Sequence, residues 1–253
     1  PDAYLPHLAS ALNNVSIRLG EEGRRAEGLA TAEEAVGHYR ALADANPDAH
    51  LPDLAMALNN VSIRLGEEGR RAEGLATAEE SVAIRRALVE ANPDAHLPDL
   101  AMILTNLSVR LGEEGRRAEA LAAAEESVGH YRALAETNPD AHLPRLAMAL
   151  NNVSVRLGEE GRRAEALATV EESVAIRRAL VEANPDAHLP HLAMALNNVS
   201  IRLGEEGRRA EALATVEESV AIRRALAETN PDAFGPALQQ SLNVAAWLEG
   251  SGP

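Results

Sequence analysis

The chain has 253 residues and carries 24 basic against 39 acidic side chains, a formal charge of −15 at pH 7. A field of this sign repels phosphates, so nucleic acid and anionic membrane surfaces are excluded as partners. The absence of cysteine excludes disulfides and thiolate metal sites, and the low aromatic content (2%) together with abundant alanine and leucine predicts an all-α protein.

The sequence repeats with a period of 46 residues. Asn46-Pro47-Asp48-Ala49 returns at Asn92, Asn138, Asn184 and Asn230. We therefore predict five tandem copies within residues 1–233, with the bounds 1–46, 47–92, 93–138, 139–184 and 185–230. One such unit cannot bury its apolar surface alone, so the copies are expected to stack and to share a core.

The chain begins at Pro1 without a methionine, and we expect it to be a piece of a longer protein. No secretory leader and no apolar run of membrane-spanning length is visible. The basic residues are all arginine, which agrees with a bacterium of high genomic GC content, and we expect a cytoplasmic location there.

The unit 47–92 contains two predicted helices, called helix A and helix B. Helix A should begin near Pro52, where a proline loses only a donor that has no partner anyway. It should stop between Gly66 and Gly69, because glycine permits the left-handed turn that ends helices. Its apolar stripe, expected to pack on helix B, consists of Leu54, Leu58, Val61 and Leu65.

Helix B should run from about Arg70 to about Ala91, and Asn92-Pro93 should end it. Its apolar positions are Leu75, Ala78, Val82 and Leu88. Four charged residues between them are expected to be solvated: Glu79, Glu80, Arg85 and Arg86.

Residues 234–249 repeat helix A alone after the fifth copy, and we predict a C-terminal capping helix there. Val244 and Trp247 stand where Asn60 and Ile63 would be. Residues 250–253 are expected to be a disordered tail or a cloning remnant.

The segment from Leu58-Asn59-Asn60-Val61-Ser62 through Gly69-Arg70-Arg71-Ala72-Glu73 to Ser81-Val82 resembles a tetratricopeptide repeat. It is similar to the long-repeat variant of kinesin light chains and of bacterial NLR-like (STAND) regulators. Extra residues before helix A are expected to lengthen the turn there. The resemblance implies an α-solenoid with a right-handed superhelical path, small residues where the helices approach (Ser62, Gly74, Ser81), and a concave face lined by the A helices.

The resemblance also implies that this concave groove binds an extended peptide, with asparagine side chains gripping its backbone. An amide both donates and accepts, as a peptide unit requires. Asparagine is disfavoured inside helices by roughly 0.5 kcal/mol, so five repetitions indicate a use. The predicted groove consists of Asn13, Asn14, Ile17, Met56, Asn59, Asn60, Ile63, Met102, Thr105, Asn106, Val109, Met148, Asn151, Asn152, Val155, Met194, Asn197, Asn198 and Ile201. The alternative is that the amides bond neighbouring helices and hold the stack in register.

An arginine follows each asparagine pair by one helical turn: Arg18, Arg64, Arg110, Arg156 and Arg202. These residues are candidates for pairing with a ligand carboxylate at the groove edge. The alternative, which we favour, is a surface pair such as Arg64 with Glu68.

One position early in helix A varies in charge between copies that are otherwise almost identical. It is occupied by His7, Asp53, Asp99, Arg145 and His191. This variation either tunes ligand choice or reflects drift at an exposed site.

Histidine also recurs in the predicted inter-repeat turn, at His50, His96, His142 and His188. A shared metal is not expected, because equivalent residues of packed helices lie about 10 Å apart whereas zinc ligands lie within about 2.1 Å of the ion. On helix B, His38 and His130 are expected to be half-buried surface residues.

No phosphate loop, nucleophile elbow or metalloprotease motif is present, and identical acids recur in every copy where a catalytic site needs one unique convergence. We therefore expect neither enzymatic activity nor a cofactor. The leading expectation is a protein- or peptide-binding scaffold, the sensor or recruitment arm of a bacterial signalling protein. The rival is a structural spacer that associates head to tail with itself.

Overall fold

The computed structural model describes residues 4–250, and within that range every element is an α-helix. The predicted all-α array of helix pairs is confirmed. The helices are α1 (Leu5–Glu21), α2 (Arg25–Ala45), α3 (Pro47–Glu67), α4 (Arg71–Ala91), α5 (Pro93–Glu113), α6 (Arg117–Thr137), α7 (Pro139–Glu159), α8 (Arg163–Ala183), α9 (Pro185–Glu205), α10 (Arg209–Thr229) and α11 (Pro231–Glu249). The chain divides within α6 into two compact units, residues 1–130 and 131–253.

The A helices are longer than predicted. α3 begins at Pro47, so Pro52 lies inside it, and the expected start near Pro52 is wrong. The expected longer turn before helix A is wrong for the same reason, since those residues form more than one additional turn of helix. Pro47 stands at the first helical position, where its missing N–H has no cost. From α5 onward the preceding asparagine caps the A helix, as where Ala95 N donates to Asn92 Oδ1 at 3.3 Å.

The other predicted helix ends are confirmed. α3 ends at Glu67, and Gly69 has a left-handed φ of 77° in the turn that follows. This turn is closed by Gly69 N donating to Gly66 O at 3.0 Å and Arg70 N donating to Leu65 O at 2.9 Å. α4 then runs from Arg71 to Ala91, within one residue of the prediction.

The core of the first unit lies between successive helices. The predicted stripe Leu54, Leu58, Val61 and Leu65 is buried, and it packs in one cluster with Leu29, Ala32 and Val36 of α2. In the second unit Leu167, Val170, Val199, Leu203 and Val216 belong to a corresponding cluster. The apolar periodicity of the sequence therefore identified the buried faces.

Small residues allow the A and B helices of one copy to approach closely. A Cβ atom on Gly74 would lie 3.1 Å from the backbone oxygen of Ser62. Ser81 Oγ donates to the oxygen of Ala55 at 2.6 Å, which joins α4 to α3.

The predicted cap begins earlier than residue 234. α11 starts at Pro231, and Ala233 N donates to Asn230 Oδ1 at 3.1 Å. It ends at Glu249, before Gly250, which has a left-handed φ of 76°. The rest of the predicted tail, residues 251–253, lies outside the described residues.

Candidate ligand-binding surface

The asparagine pairs form hydrogen bonds between consecutive A helices. Asn60 Nδ2 of α3 donates to Asn13 Oδ1 of α1 at 2.9 Å, and Asn106 Nδ2 of α5 repeats this toward Asn59 Oδ1 at 2.9 Å. In the second unit Asn198 Nδ2 donates to Asn151 Oδ1 at 2.6 Å. The second asparagine of one copy is thus bonded to the first asparagine of the copy before it, so these amides hold neighbouring helices in register.

The two members of a pair differ in exposure. Asn59 is 3% exposed, Asn151 8% and Asn197 1%, and Thr105 in the same place is 6% exposed. A ligand cannot reach these four side chains while the helices stay packed, so their assignment to the groove lining is corrected. Thr105 contacts helix B, where its Oγ1 lies 2.8 Å from Ser127 Oγ.

The second asparagines remain accessible. Asn60, Asn106, Asn152 and Asn198 are half-buried, and Asn14 is exposed. Asn60, Asn106 and Asn198 use Nδ2 for the bond to the preceding copy, and their Oδ1 atoms accept no hydrogen bond within the described residues. Each of these amides is therefore fixed in place with an acceptor still available.

The apolar residues beside these asparagines are partly exposed too. Met56 and Ile63 are half-buried, as are most of their equivalents, and Met148 is 39% exposed. We call the accessible residues of each unit its open strip. They are Asn14, Ile17, Met56, Asn60, Ile63, Met102, Asn106 and Val109 in the first unit, and Met148, Asn152, Val155, Met194, Asn198 and Ile201 in the second. Asn13 is half-buried in α1 and accepts the bond from Asn60.

The second unit has a recess at its C-terminal copy. Ile201, Val244 and Trp247 line it together with Glu205, Gln240 and Asn243, and its volume is about 340 Å³. Trp247 is 48% exposed and its ring lies against Gly204. The open strip of the second unit therefore ends at an exposed aromatic side chain.

The arginines after the asparagine pairs are held within the protein. Arg64 Nη1 lies 2.6 Å from Glu67 Oε2, and the same pairing occurs at Arg110, Arg156 and Arg202. The partner is the glutamate three residues on, so the expected pairing with Glu68 is wrong. The Arg64 side chain is only 12% exposed and lies against Gly20 of the preceding copy. Arg18 in the first copy is the exception, because it is exposed.

The arginines of helix B separate into two kinds. Arg86 is exposed and pairs with Glu126 of the next B helix at 2.7 Å. Arg85 is 2% exposed, so its predicted solvation is wrong. Its Nη2 donates to the oxygen of Pro52 at 2.7 Å, which places the guanidinium between the helices. Tyr39 and Tyr131 stand at the same position in other copies, and this alternation of arginine with an aromatic residue was the signal for a buried site.

The position of variable charge contacts this buried arginine. Asp99 Oδ2 of α5 lies 3.1 Å from Arg85 Nη1 of α4. Burial lowers the pKa of Arg85, and the charges of Asp99 and Asp53 oppose that shift. In this copy the variable residue forms an ion pair with a buried arginine.

The recurring histidines lie in the A helices and not in a turn. His50, His96, His142 and His188 fall in the first turns of their helices, and all four are half-buried. Over residues 4–250 no group of three or more histidine, aspartate or glutamate side chains could hold a metal ion. His38 and His130 are about 30% exposed, as expected, and each lies within 3.8 Å of a glutamate one turn earlier.

None of the helices described is long and apolar enough to span a bilayer.

Comparison with known proteins relates the chain to a repeat family. The sequence profile of the tetratricopeptide repeat matches residues 54–96, 146–187 and 192–232. No curated protein gives a significant match.

Solved structures share the fold. A kinesin-light-chain protein from Podosopora anserina, with nearly identical TPR-like repeats, superposes with a TM-score of 0.65 at 18% identity, covering 87% of this chain and 96% of that one. BtubC (BKLC) from P. vanneervenii gives 0.67 at 18% identity over 88% and 83% of the two chains. The apo form of RapI gives 0.60 at 12% identity over 97% and 83%.

Proposed function

Because the chain belongs to the tetratricopeptide repeat family, we propose that it is a protein-binding scaffold whose open strip holds an extended segment of a partner. The observation that carries the proposal is the row of amides in which Nδ2 is fixed by the preceding copy while Oδ1 stays available. These acceptors are ordered before a ligand arrives, so binding does not have to pay for ordering them.

The spacing of the acceptors favours a particular ligand conformation. Packed helices lie about 10 Å apart, so one acceptor is presented about every 10 Å along the strip. A polyproline II segment rises about 3.1 Å per residue and repeats every three residues, about 9.3 Å. Backbone N–H groups of every third ligand residue would therefore meet successive asparagines. The methionine and branched residues between them adapt to apolar ligand side chains.

The test starts from peptides selected for binding to the wild-type chain from a displayed random library. A strip variant replaces Met56, Asn60 and Ile63 by alanine, and a matched control places glutamate at Ala83 and Ala87, which are exposed on helix B. We expect the strip variant to weaken binding by about tenfold or more, equivalent to about 1.4 kcal/mol, and the control to bind as the wild type does. Equal affinity for both variants, with both helical by circular dichroism, would refute binding at the strip.

Within this proposal the array is the sensor or recruitment arm of a larger cytoplasmic bacterial regulator of the NLR-like (STAND) kind, with no catalytic role of its own. The support is the absence of lysine from the chain and the resemblance of the unit to the long-repeat variant. Sequencing the complete coding region tests the assignment, which fails if no nucleotide-binding or effector domain accompanies the array.

A second candidate is self-association, favoured by apolar residues exposed on the first and last helices. Tyr4, Leu8 and Val15 of the first unit are 77%, 46% and 47% exposed, and the latter two lie on α1 two turns apart. Leu242 and Trp247 of α11 are 36% and 48% exposed. Head-to-tail contact would cover both sets. Light scattering over a range of concentrations decides: Leu8→Glu must lower the average mass if this contact forms, and a constant monomer mass of the wild type excludes it.

A further inference from the structure

Three copies place a buried arginine at the same position of helix B. Arg85 is 2% exposed, Arg177 3% and Arg223 5%. A guanidinium taken out of water is costly unless charges or hydrogen bonds replace its hydration. The partners of these three side chains can therefore be compared directly.

Two of the three have polar partners within the protein. Arg85 has the oxygen of Pro52 at 2.7 Å and the carboxylate of Asp99 at 3.1 Å. Arg223 Nη1 donates to the oxygen of Ala237 at 2.6 Å and to Ser241 Oγ at 2.9 Å, both on the C-terminal helix α11, with Gln240 Oε1 at 3.5 Å.

Arg177 has no such partner. Its Nε, like Nε and Nη1 of Arg85, is buried without a hydrogen bond, but unlike Arg85 it has no carboxylate of the described residues within 4.0 Å of its guanidinium. The register position that Asp99 fills beside Arg85 is held by His191, and the position of Asp53 is held by Arg145. The copy thus keeps the buried cation and replaces both neighbouring anions by basic residues.

The pKa shifts of Arg177 and His191 agree with a site that lacks a neighbouring anion. Burial lowers the pKa of Arg177 to about 10. Desolvation, Arg177 and His188 together lower the pKa of His191. A local excess of positive charge inside a chain of net charge −15 favours an anion from outside.

We propose that the edge of Arg177 beside His191 binds a carboxylate supplied by a ligand, in the place that Asp99 fills at Arg85. The corresponding side of Arg85 is open to solvent, because the Asp99 side chain remains 40% exposed while it contacts the buried guanidinium. A guanidinium binds a carboxylate through charge-assisted, often bidentate, hydrogen bonds. By analogy with the Asp99 carboxylate at Arg85, the expected ligand of Arg177 is a side-chain carboxylate of a partner protein or the carboxylate of its C-terminus.

The site does not involve the open strip, so failure of either proposal leaves the other standing. The probe is sodium acetate, titrated against sodium chloride at equal ionic strength and followed by the NMR signals of the arginine Nε–Hε groups. We expect a saturable, acetate-specific shift at Arg177 and none at Arg85 or Arg223. An Arg177 response equal to that of Arg85, or equal in acetate and chloride, would overturn the proposal.

Exchanging the residues at the variable position provides matched controls that keep the arginines. His191→Asp supplies the missing carboxylate, so the acetate affinity of Arg177 should fall by about tenfold or more and the melting temperature should rise. Asp99→His should give Arg85 an acetate response like that of Arg177, and the chain already accepts histidine at this position. If His191→Asp leaves the response unchanged, the site is not where we place it.

Two further probes distinguish the sources of the carboxylate. N-acetylglycine presents a terminal carboxylate, and N-acetylaspartic acid α-amide presents a side-chain carboxylate. Tighter binding of the first assigns the site to a chain terminus, and tighter binding of the second assigns it to an acidic side chain. If neither binds better than chloride, there is no carboxylate site at Arg177.

Discussion

Asn106 of α5 donates from Nδ2 to Oδ1 of Asn59 in α3, 2.9 Å away. Asn59 is buried, so its loss removes an acceptor that water cannot replace. We expect Asn59→Ala to lower the free energy of unfolding by about 1–3 kcal/mol, measured by urea denaturation. Asn14→Ala is the control, because Asn14 is exposed and should change stability little. Asn59→Thr should cost less than Asn59→Ala, since Thr105 occupies the equivalent site and bonds to Ser127. Equal losses at Asn59 and Asn14 would contradict the role of this bond.

Replacing each of two glycines of the second copy by alanine should change the stability in opposite directions. A Cβ on Gly74 lies 3.1 Å from the backbone of Ser62, and the later copies carry Ala120, Ala166 and Ala212 there, so the backbone accommodates it. Gly74→Ala should stabilise by about 0.5–1 kcal/mol, because alanine loses less backbone entropy.

Gly69→Ala is the matched contrast. Gly69 has a φ of 77°, which an alanine adopts only at a cost of roughly 1–2 kcal/mol. Thermal melts of the two single variants and the wild type give the comparison, and Gly74→Ala melting below the wild type would show that the helices of this copy cannot adjust.

The sequence predicted the period, the buried stripe and the helix ends marked by Gly69 and Asn92, because these follow from spacing along one helix and from the conformations that glycine and proline allow. It could not predict which member of the pair Asn59-Asn60 is buried. Adjacent residues point about 100° apart, and the neighbouring copy decides which one it covers. The start of helix A was wrongly predicted near Pro52 because a proline inside a helix and a proline at its first position differ only in the residues that precede them. Arg85 was missed since its burial depends on Pro52 and Asp99, which belong to other helices.

Arg85 and Arg86 are neighbours in sequence and should differ strongly in their effect on stability. Arg86→Ala removes an exposed ion pair with Glu126, and we expect a loss below about 1 kcal/mol. Arg85→Ala leaves a cavity and deprives Asp99 of its partner, so the loss should reach about 2–4 kcal/mol. Arg85→Tyr should recover part of this loss, since Tyr39 fills the same position and is buried. Urea denaturation of the three variants measures the order, and an equal effect of the two alanine substitutions would contradict the burial of Arg85.

His191 should make the second unit sensitive to acid. Desolvation and the charges of Arg177 and His188 hold its pKa below the ordinary value of 6.5. Between the unfolded-state pKa of about 6.5 and the lower folded-state pKa of His191, the folded chain binds fewer protons than the unfolded chain. The free energy of unfolding is therefore highest above about pH 6.5 and falls as the pH is lowered through the folded-state pKa. His191→Asn should flatten the dependence of the melting temperature on pH between about 7 and 5 relative to the wild type. Arg177→Tyr introduces the residue of the first and third copies and removes one of the charges that disfavour protonation, so the His191 imidazole should then titrate at a higher pH. NMR titration of that ring in both chains tests the cause directly, and the same midpoint with and without Arg177 would show that the arginine does not act on His191.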